Sequence, residues 1–464
     1  MFNDEIIKMY DIRGKYKEQF DLEFVTNLAK AFCTFLIDHD FAINSKRVSV
    51  GYDARLSSPE IRDAFIKGVL ESGFDAVDIG LCPTPLLYYS LQKDDFSGGV
   101  MITASHNPPS YNGFKISAGS DSIYGDALIE IKKCILDNTY KKLDRNIQKS
   151  SVTSFDDHYL EYCDEYFHKA DKKLRVAVDA GNGAGGQLLV DALKKFGCEV
   201  YELYIEPDGH FPNHHPDPSK IENMQDLINC VRENDLDIGI ALDGDGDRLG
   251  VVDNNGNIVA PDIYMILFIK EILEKNSDAI FISEVKCSQV LYDEVRKAGG
   301  EIIMYKTGHS LIKNKMKELG ASFAGEMSGH LFFKDDYFGY DDAIYSGMRL
   351  ARILSKSDKS LSEMVEPYNI YESTPEIRIE VNEKTKFIDM DKLTKYFFEL
   401  KTDDASIKDI ITIDGARVLF ENGWGLVRPS NTEPHFVLRF EANDSLALTK
   451  IKDYMIDKVE KVLS

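Results

Sequence analysis

Residues 237–252 read DIGIALDGDGDRLGVV and set Asp243, Asp245 and Asp247 at alternate positions, with glycines between them, directly after an apolar strand. Three carboxylates at that spacing repel one another, so a hard cation that draws them together is favoured, and the glycines let the backbone wrap it. An EF-hand loop fails at two positions: Arg248 stands where its Gly is needed and Asn254 where its Glu is needed. Mg²⁺ suits the pattern better, because it takes few protein carboxylates and completes its shell with phosphate oxygens. The alternative is a solvated acidic turn.

Residues 98–115, GGVMITASHNPPSYNGFK, run a short apolar strand into a turn that two prolines prevent from continuing as strand. Ser105 is thereby expected to be displayed rather than packed. A turn or helix-cap serine is the plain reading. A hydrolase nucleophile is disfavoured, since the strand–turn–helix elbow G-x-S-x-G occurs nowhere in the chain. What remains is a serine that accepts a phosphoryl group, with Lys115 ten residues on as a proton-transfer partner.

Two further loops hold short polar groups. Residues 325–330, GEMSGH, follow a strand expected at 322–324 and can aim a carboxylate and a hydroxyl at vicinal sugar hydroxyls, or be a plain turn. Residues 427–434, VRPSNTEP, offer Arg428, Ser430, Asn431, Thr432 and loop N–H groups as a cradle for an oxyanion. Ser430 to Glu433 also fits a capping box, and both readings can hold together.

A competing signal lies at residues 181–186, GNGAGG. It satisfies G-x-G-x-x-G, follows the strand expected at 175–178, opens a helix and has Glu202 about 20 residues on, as in a dinucleotide fingerprint. The equivalent turns at 52–59 and 285–289 lack the glycines. A tight turn is therefore the preferred reading over an NAD-dependent oxidoreductase.

These loops hang on a repeated frame. Residues 47–80, 174–204 and 279–305 each read as strand, amphipathic helix, glycine and strand, with Gly73, Gly197 and Gly299 at the expected helix ends. Three such units mean three related α/β domains. The last hundred residues differ: strands are expected at 376–381, 410–419 and 424–429, and a closing helix at 445–463, which is α+β. Boundaries fall near 150, 256 and 367.

The chain has 464 residues, enough for about three or four domains, and its 43% hydrophobic content can build cores. The formal net charge of −23 disfavours nucleic-acid and membrane-surface roles. The start carries no signal-peptide pattern, and no run of about 18 apolar residues occurs, so a soluble, cytoplasmic protein is expected. Seven scattered cysteines without C-x-x-C spacing argue against disulfides and thiolate zinc.

Taken together, TASHNP, DGDGDR, GEMSGH and RPSNTEP, in this order, resemble the α-D-phosphohexomutase superfamily over essentially the whole chain, from YDIRG at 10–14 onward. GEMSGH, with KTGHS at 306–310 and FPNHHPDP at 211–218, looks like the bacterial phosphomannomutase/phosphoglucomutase branch. Phosphoglucosamine mutases are similar but usually carry Gln where Met327 stands.

The resemblance implies an α/β fold of three topologically similar α/β domains with mixed sheets plus a C-terminal α+β domain around a central active-site cleft. Residues 1–150 would carry the phosphoserine, 151–256 the metal site, 257–367 sugar recognition and 368–464 phosphate binding. It implies Ser105 as phosphoserine and, through its phosphate, a Mg²⁺ ligand with Asp243, Asp245 and Asp247. Lys115 would serve acid/base transfer, aided by Arg13, His106 and Arg248. Tyr10, Lys286, His309, Glu326, Ser328 and His330 would line the substrate site, and Arg428, Ser430, Asn431 and Thr432 would hold the non-reacting phosphate. The activity implied is reversible phosphoryl transfer between the 1- and 6-positions of mannose and glucose phosphates through a hexose 1,6-bisphosphate. Phosphoglucosamine mutase and a sugar-phosphate sensor are the alternatives to that activity. Partners would be small hexose phosphates, with no nucleic acid and no membrane, and the chain a monomer or weak homodimer. Reorientation of the bisphosphate predicts hinge motion near residue 367 and compaction on ligand binding.

Overall fold

The computed structural model describes residues 4–7, 11–145, 148–430 and 433–463. They form two compact units, Met1–Pro261 with Ser328–Met364, and Asp262–Met327 with Val365–Ser464.

The first unit holds two mixed sheets of one plan. In the first, Gly98–Ile102 runs parallel to Arg47–Tyr52 on one side and antiparallel to Tyr111–Ala118 on the other, and Asp75–Leu81 lies beyond Arg47–Tyr52. The second repeats this with Ile238–Leu242 between Arg175–Asp179 and Leu249–Asp253, and Glu199–Leu203 beyond. Apart from Glu199–Leu203, which is partly exposed at the end of its sheet, the strands are largely buried, as parallel strands under helices must be. Helices Leu22–Asp38 and Ser58–Glu71 cover the first sheet. The former is capped by Asp21, whose carboxylate accepts from Phe24 N at 2.9 Å.

In the second unit Ile280–Glu284 lies between Glu301–Tyr305 and Phe323–Gly325, all parallel. Gly73, Gly197 and Gly299 all take positive φ at their helix ends, as the repeat predicts. The remainder is an antiparallel sheet in the order Glu372–Ser373, His435–Ala442, Gly423–Pro429, Ala416–Phe420, Ile407–Ile411, with Ile377–Glu380 also on His435–Ala442. Helices Lys386–Asp403 and Ser445–Leu463 bury Leu393, Phe397, Met455 and Val459 against it.

Two expectations for this last region change. The strand expected over 410–419 is a hairpin, Ile407–Ile411 paired antiparallel with Ala416–Phe420, because Asp414-Gly415 turns the chain. The sheet is organised on His435–Ala442, a strand not singled out in the sequence.

The repeated plan places the chemistry. TASHNP joins Gly98–Ile102 to its antiparallel neighbour, and DGDGDR joins Ile238–Leu242 to its own. GEMSGH likewise leaves Phe323–Gly325 and leads into Leu331–Phe333. Each loop occupies the same step of the topology, at the carboxyl end of a parallel strand, where α/β sheets present ligand-binding loops. No helix among the described residues is long and apolar enough to cross a membrane. The seven cysteines are unpaired and, Cys230 apart, buried.

Candidate functional site

In the first unit, Ser105 has a left-handed backbone with φ of +49°, outside the strand region. Its N–H donates to Thr103 Oγ1 at 2.9 Å and its Oγ to Asp243 Oδ2 at 2.7 Å, with His106 Nδ1 at 3.0 Å from the same oxygen. Ser105 is buried, not displayed. The loop that carries Asp243, Asp245 and Asp247 covers it so closely that a Cβ at Gly244 would stand 2.6 Å from the Ser105 carbonyl oxygen.

Asp243, Asp245 and Asp247 are fully buried, and each brings an oxygen within 4.8 Å of the others. Lys115 enters from the returning strand Tyr111–Ala118 and donates to Asp245 Oδ2 at 2.7 Å and to Asp247 Oδ2. Thr84 Oγ1 donates to the same Asp245 oxygen at 2.5 Å. Asp243 Oδ1 accepts from the backbone N–H of Asp247 and Arg248 at 3.1 and 3.2 Å. Burial works against the Lys115 ammonium, but Asp245 and Asp247 reverse this and hold it charged well above its usual range. Burial also works against an ionised Asp245, yet Lys115 and Thr84 keep its carboxyl below the ordinary range. Burial, then Asp245 and Asp247, push Asp243 well above that range.

The carboxylates fit a divalent cation. Asp245 Oδ1 and Asp247 Oδ1 are buried and make no hydrogen bond, so two hard anionic oxygens are available where one ammonium faces three carboxyl groups.

Around this cluster, Arg248 Nε donates to His330 Nε2 at 3.1 Å, and His330 Nδ1 lies 3.2 Å from Asp341 Oδ2. Arginine can only donate, so the His330 proton sits on Nδ1. Arg13 donates to Asn107 Oδ1 at 2.6 Å and pairs with Asp11 at 2.8 Å. Burial, Arg248 and Arg13 push the His106 imidazole well below its usual value, which keeps it neutral.

The second unit collects another group. Glu284 closes its strand and accepts from Met327 N at 2.7 Å and from Thr307 Oγ1 at 2.5 Å, with Lys286 Nζ at 3.3 Å. Lys286 also bonds Glu376 at 2.7 Å. Burial opposes the Lys286 charge, and Glu284 and Glu376 restore it. Lys286 in turn lowers Glu376 to about 2. Glu326 Oε1 accepts from Gly308 N at 2.7 Å, just before His309 opens a helix. Arg428 Nε is held by Asp414 at 2.8 Å, and its buried Nη2 makes no hydrogen bond, a donor suited to an anion. Glu433 N donates to Ser430 Oγ at 3.2 Å, the capping half of the double reading.

The structure thus joins Ser105, His106, Lys115, Asp243, Asp245, Asp247, Arg248 and His330 in one hydrogen-bonded and ion-paired group, and it joins Lys286, with Glu284 and Glu376, and Arg428, with Asp414, inside the second unit. Ser328 begins the segment that packs with the first unit. Tyr10, Asn431 and Thr432 lie outside the described residues. Thr84, Glu284, Asp341, Glu376 and Asp414 were not singled out in the sequence. A charged residue ending an apolar strand was the available signal for Glu284, and the Asp-Gly turn for Asp414.

The glycines at 181–186 pack against the loop that carries Asp243, Asp245 and Asp247. Ala184 N donates to Gly244 O at 3.0 Å, and a Cβ at Gly183 would stand 2.8 Å from that oxygen. Close backbone packing accounts for them without a dinucleotide.

Four consecutive segments match one set of family descriptions: Phosphoglucomutase/phosphomannomutase, alpha/beta/alpha domain I over residues 4–141, domain II over 157–256, domain III over 260–371, and the C-terminal domain over 376–458. The chain belongs to the phosphoglucomutase/phosphomannomutase family. It is 43% identical over 461 residues to a phosphomannomutase/phosphoglucomutase of Pseudomonas syringae pv. tomato, covering 99% of this chain and 96% of that one. It is 41% identical to a phosphoglucomutase of Neisseria gonorrhoeae, over 97% and 95% of the two chains. A crystal structure of a phosphoglucomutase/phosphomannomutase family protein from Burkholderia thailandensis superposes with a TM-score of 0.91 at 38% identity, covering 100% of this chain and 98% of the other. The four-domain α/β architecture of the phosphoglucomutase/phosphomannomutase family is therefore the one this chain adopts.

Proposed function

We propose that the chain is a phosphomannomutase/phosphoglucomutase, moving a phosphoryl group reversibly between the 1- and 6-positions of hexose phosphates. The observation that carries this reading is the buried Ser105 hydroxyl hydrogen-bonded to Asp243 inside a carboxylate cluster charged against Lys115. A dinucleotide site would need none of that arrangement.

Ser105 carries the phosphoryl group. A free hexose hydroxyl attacks the phosphorus, the bond from phosphorus to Ser105 Oγ breaks, and a hexose 1,6-bisphosphate results. The proton of the attacking hydroxyl ends on the departing Oγ by way of Lys115, which as an ammonium gives a proton to Oγ and takes the hydroxyl proton in exchange, and in the return step the transfer runs backward. After the bisphosphate turns end for end, its other phosphate is returned to Ser105. Asp243, Asp245 and Asp247, with an oxygen of phosphorylated Ser105, would hold Mg²⁺, which neutralises charge spreading over the phosphoryl oxygens. Arg13 and Arg248 neutralise the same group, and the neutral His106, 3.0 Å from Ser105 Oγ, orients it. Residues 1–150 then supply the phosphoserine and 151–256 the metal carboxylates. Residues 257–367 supply sugar contacts through Lys286, His309, Glu326, Ser328 and His330, and 368–464 supply the phosphate grip through Arg428 and Ser430. Tyr10, Asn431 and Thr432 would join these binding groups. Glu326 and Ser328 read the 3- and 4-hydroxyls and ignore the 2-position, so glucose and mannose phosphates both serve.

A phosphorus NMR time course with Mg²⁺ and a trace of hexose 1,6-bisphosphate tests this. Glucose 1-phosphate and mannose 1-phosphate should each convert to the 6-phosphate. Conversion of glucosamine 1-phosphate alone would move the chain to the amino-sugar branch, and silence with all three would overturn the reading.

A further inference from the structure

Arg55 follows the strand Arg47–Tyr52 and is buried to the tip of its side chain. All five guanidinium N–H groups are used. Nε donates to Asp53 Oδ2 at 3.0 Å, Nη1 to the carbonyls of Pro108 at 2.7 Å and Tyr111 at 3.0 Å, and Nη2 to the carbonyls of Ser105 at 2.7 Å and Asn107 at 2.6 Å. Four of the five bonds therefore end on the single loop that carries Ser105.

Asp53, the counter-ion, is fixed in turn. It accepts from Ser58 Oγ and Thr103 Oγ1, each at 2.8 Å, and from Arg55 N at 3.1 Å. Thr103 Oγ1 also accepts from Ser105 N at 2.9 Å. Both backbone groups of Ser105 are thus gripped, its carbonyl by Arg55 and its N–H through Thr103 and Asp53. A grip on both sides is what a serine at φ +49° needs, since that conformation is disfavoured for any residue with a side chain. Phe211 closes the remaining face, with its ring centroid 5.6 Å from the guanidinium carbon. Gly209 lets that segment approach, because a Cβ there would stand 2.5 Å from the Ala54 carbonyl oxygen.

We propose that Arg55 is the positioning residue of the phosphoserine loop: its fork of donors, backed by Asp53 and covered by Phe211, holds the Ser105 Oγ in one place while the serine alternates between phosphorylated and free states. The inference rests on the phosphoserine reading of Ser105. Lysine cannot replace it, because an ammonium is a point donor that cannot span four carbonyls.

The experiment uses full-length wild type, Arg55→Lys and Phe211→Leu. Each is charged with glucose 1,6-bisphosphate and Mg²⁺, phosphate on Ser105 is counted by intact mass and located by peptide mapping, and the single-turnover transfer from phosphoserine to glucose 6-phosphate is timed. This first-order constant does not depend on how much enzyme is folded, so a purely structural role would leave it unchanged. Misplacement by about 1 Å costs on the order of 10²-fold. Arg55→Lys should therefore transfer about 10²-fold more slowly, with a shifted phosphoserine ³¹P resonance and KM for glucose 1-phosphate within about twofold of wild type. Phe211→Leu keeps the guanidinium and the fold, and should show a several-fold loss in the same constant. Wild-type transfer constants in the charged variants would overturn the positioning role; if Arg55→Lys fails to fold, the Phe211→Leu constant decides alone. Wild type that never takes phosphate on Ser105 would overturn the phosphoserine reading itself, a distinct outcome read before any variant is compared.

Discussion

Replacing Lys115 by Met removes one charge from a cluster of four and leaves the packing volume nearly unchanged. Lys115 Nζ lies 2.7 Å from Asp245 Oδ2 and also bonds Asp247, and both carboxylates are wholly buried. Deleting one partner of such a buried pair strands the other charge in a poorly solvating interior, at about 3–5 kcal/mol. At about 2–4 °C per kcal/mol for a unit of this size, the metal-free variant should melt on the order of 6–20 °C below wild type. The same change frees carboxylate oxygens for a divalent cation. Mg²⁺ at about 100 times its Kd contributes about 2.7 kcal/mol to any state that binds it, so it should recover roughly half the loss or more. Turnover stays lost in both conditions, because the cation restores charge balance but not the proton. The assay is scanning calorimetry of enzyme dialysed against chelator, with and without added Mg²⁺, beside turnover of glucose 1-phosphate. A metal-free Lys115→Met protein that melts within about 2 °C of wild type would refute the charge reasoning, whatever its activity.

Ser105→Ala should lose several orders of magnitude in kcat while its melting temperature stays close to wild type, since covalent transfer is removed but little packing is; near-normal turnover would sink the phosphoserine role. Gly183→Ala drives a Cβ to 2.8 Å from Gly244 O, so titration calorimetry should find Mg²⁺ binding weakened about tenfold or more, and NADH fluorescence should stay unchanged on mixing with wild type. Arg428→Lys surrenders the fork that Asp414 orients, and KM for glucose 1-phosphate should rise about 10–100-fold with a smaller change in kcat. Burial raises Asp342 to about 6, although Tyr345 N, Tyr337 and Tyr159 hydrogen-bond to it. The folded state therefore holds that proton more tightly than the unfolded chain, so its contribution to stability is full below about pH 4 and is lost as pH rises through about 6, at about 3 kcal/mol. Asp342→Asn should erase this slope; a stability difference between wild type and variant that is flat from pH 4 to 7 would refute it.

The chemistry of individual loops was legible along the chain because neighbours a few positions apart are bound to meet. Asp243, Asp245 and Asp247 must share one turn, and strand–helix–strand periodicity announced three related units before any contact was known. The helix Ser445–Leu463 stands where its amphipathic pattern placed it. The hairpin at 407–420 went unread as such although Asp414-Gly415 marked its turn, because β-branched residues on both sides masked the break.

Contacts between distant segments depended on sheet order. Lys115 and Asp245 stand 130 residues apart, and only the repeated strand plan, which lays DGDGDR beside TASHNP, makes them partners. The same approach buried Ser105, which local turn chemistry alone had put on display. At 181–186 the sequence was compatible with two meanings, because glycine is needed equally for a ligand's phosphate or for another backbone, and the Gly244 carbonyl packed against Gly183 decided between them. Arg55 looked like any charged residue after a strand. Sequence records which donors a side chain owns, while the fold decides which carbonyls are left for them, and here it turned four toward one arginine.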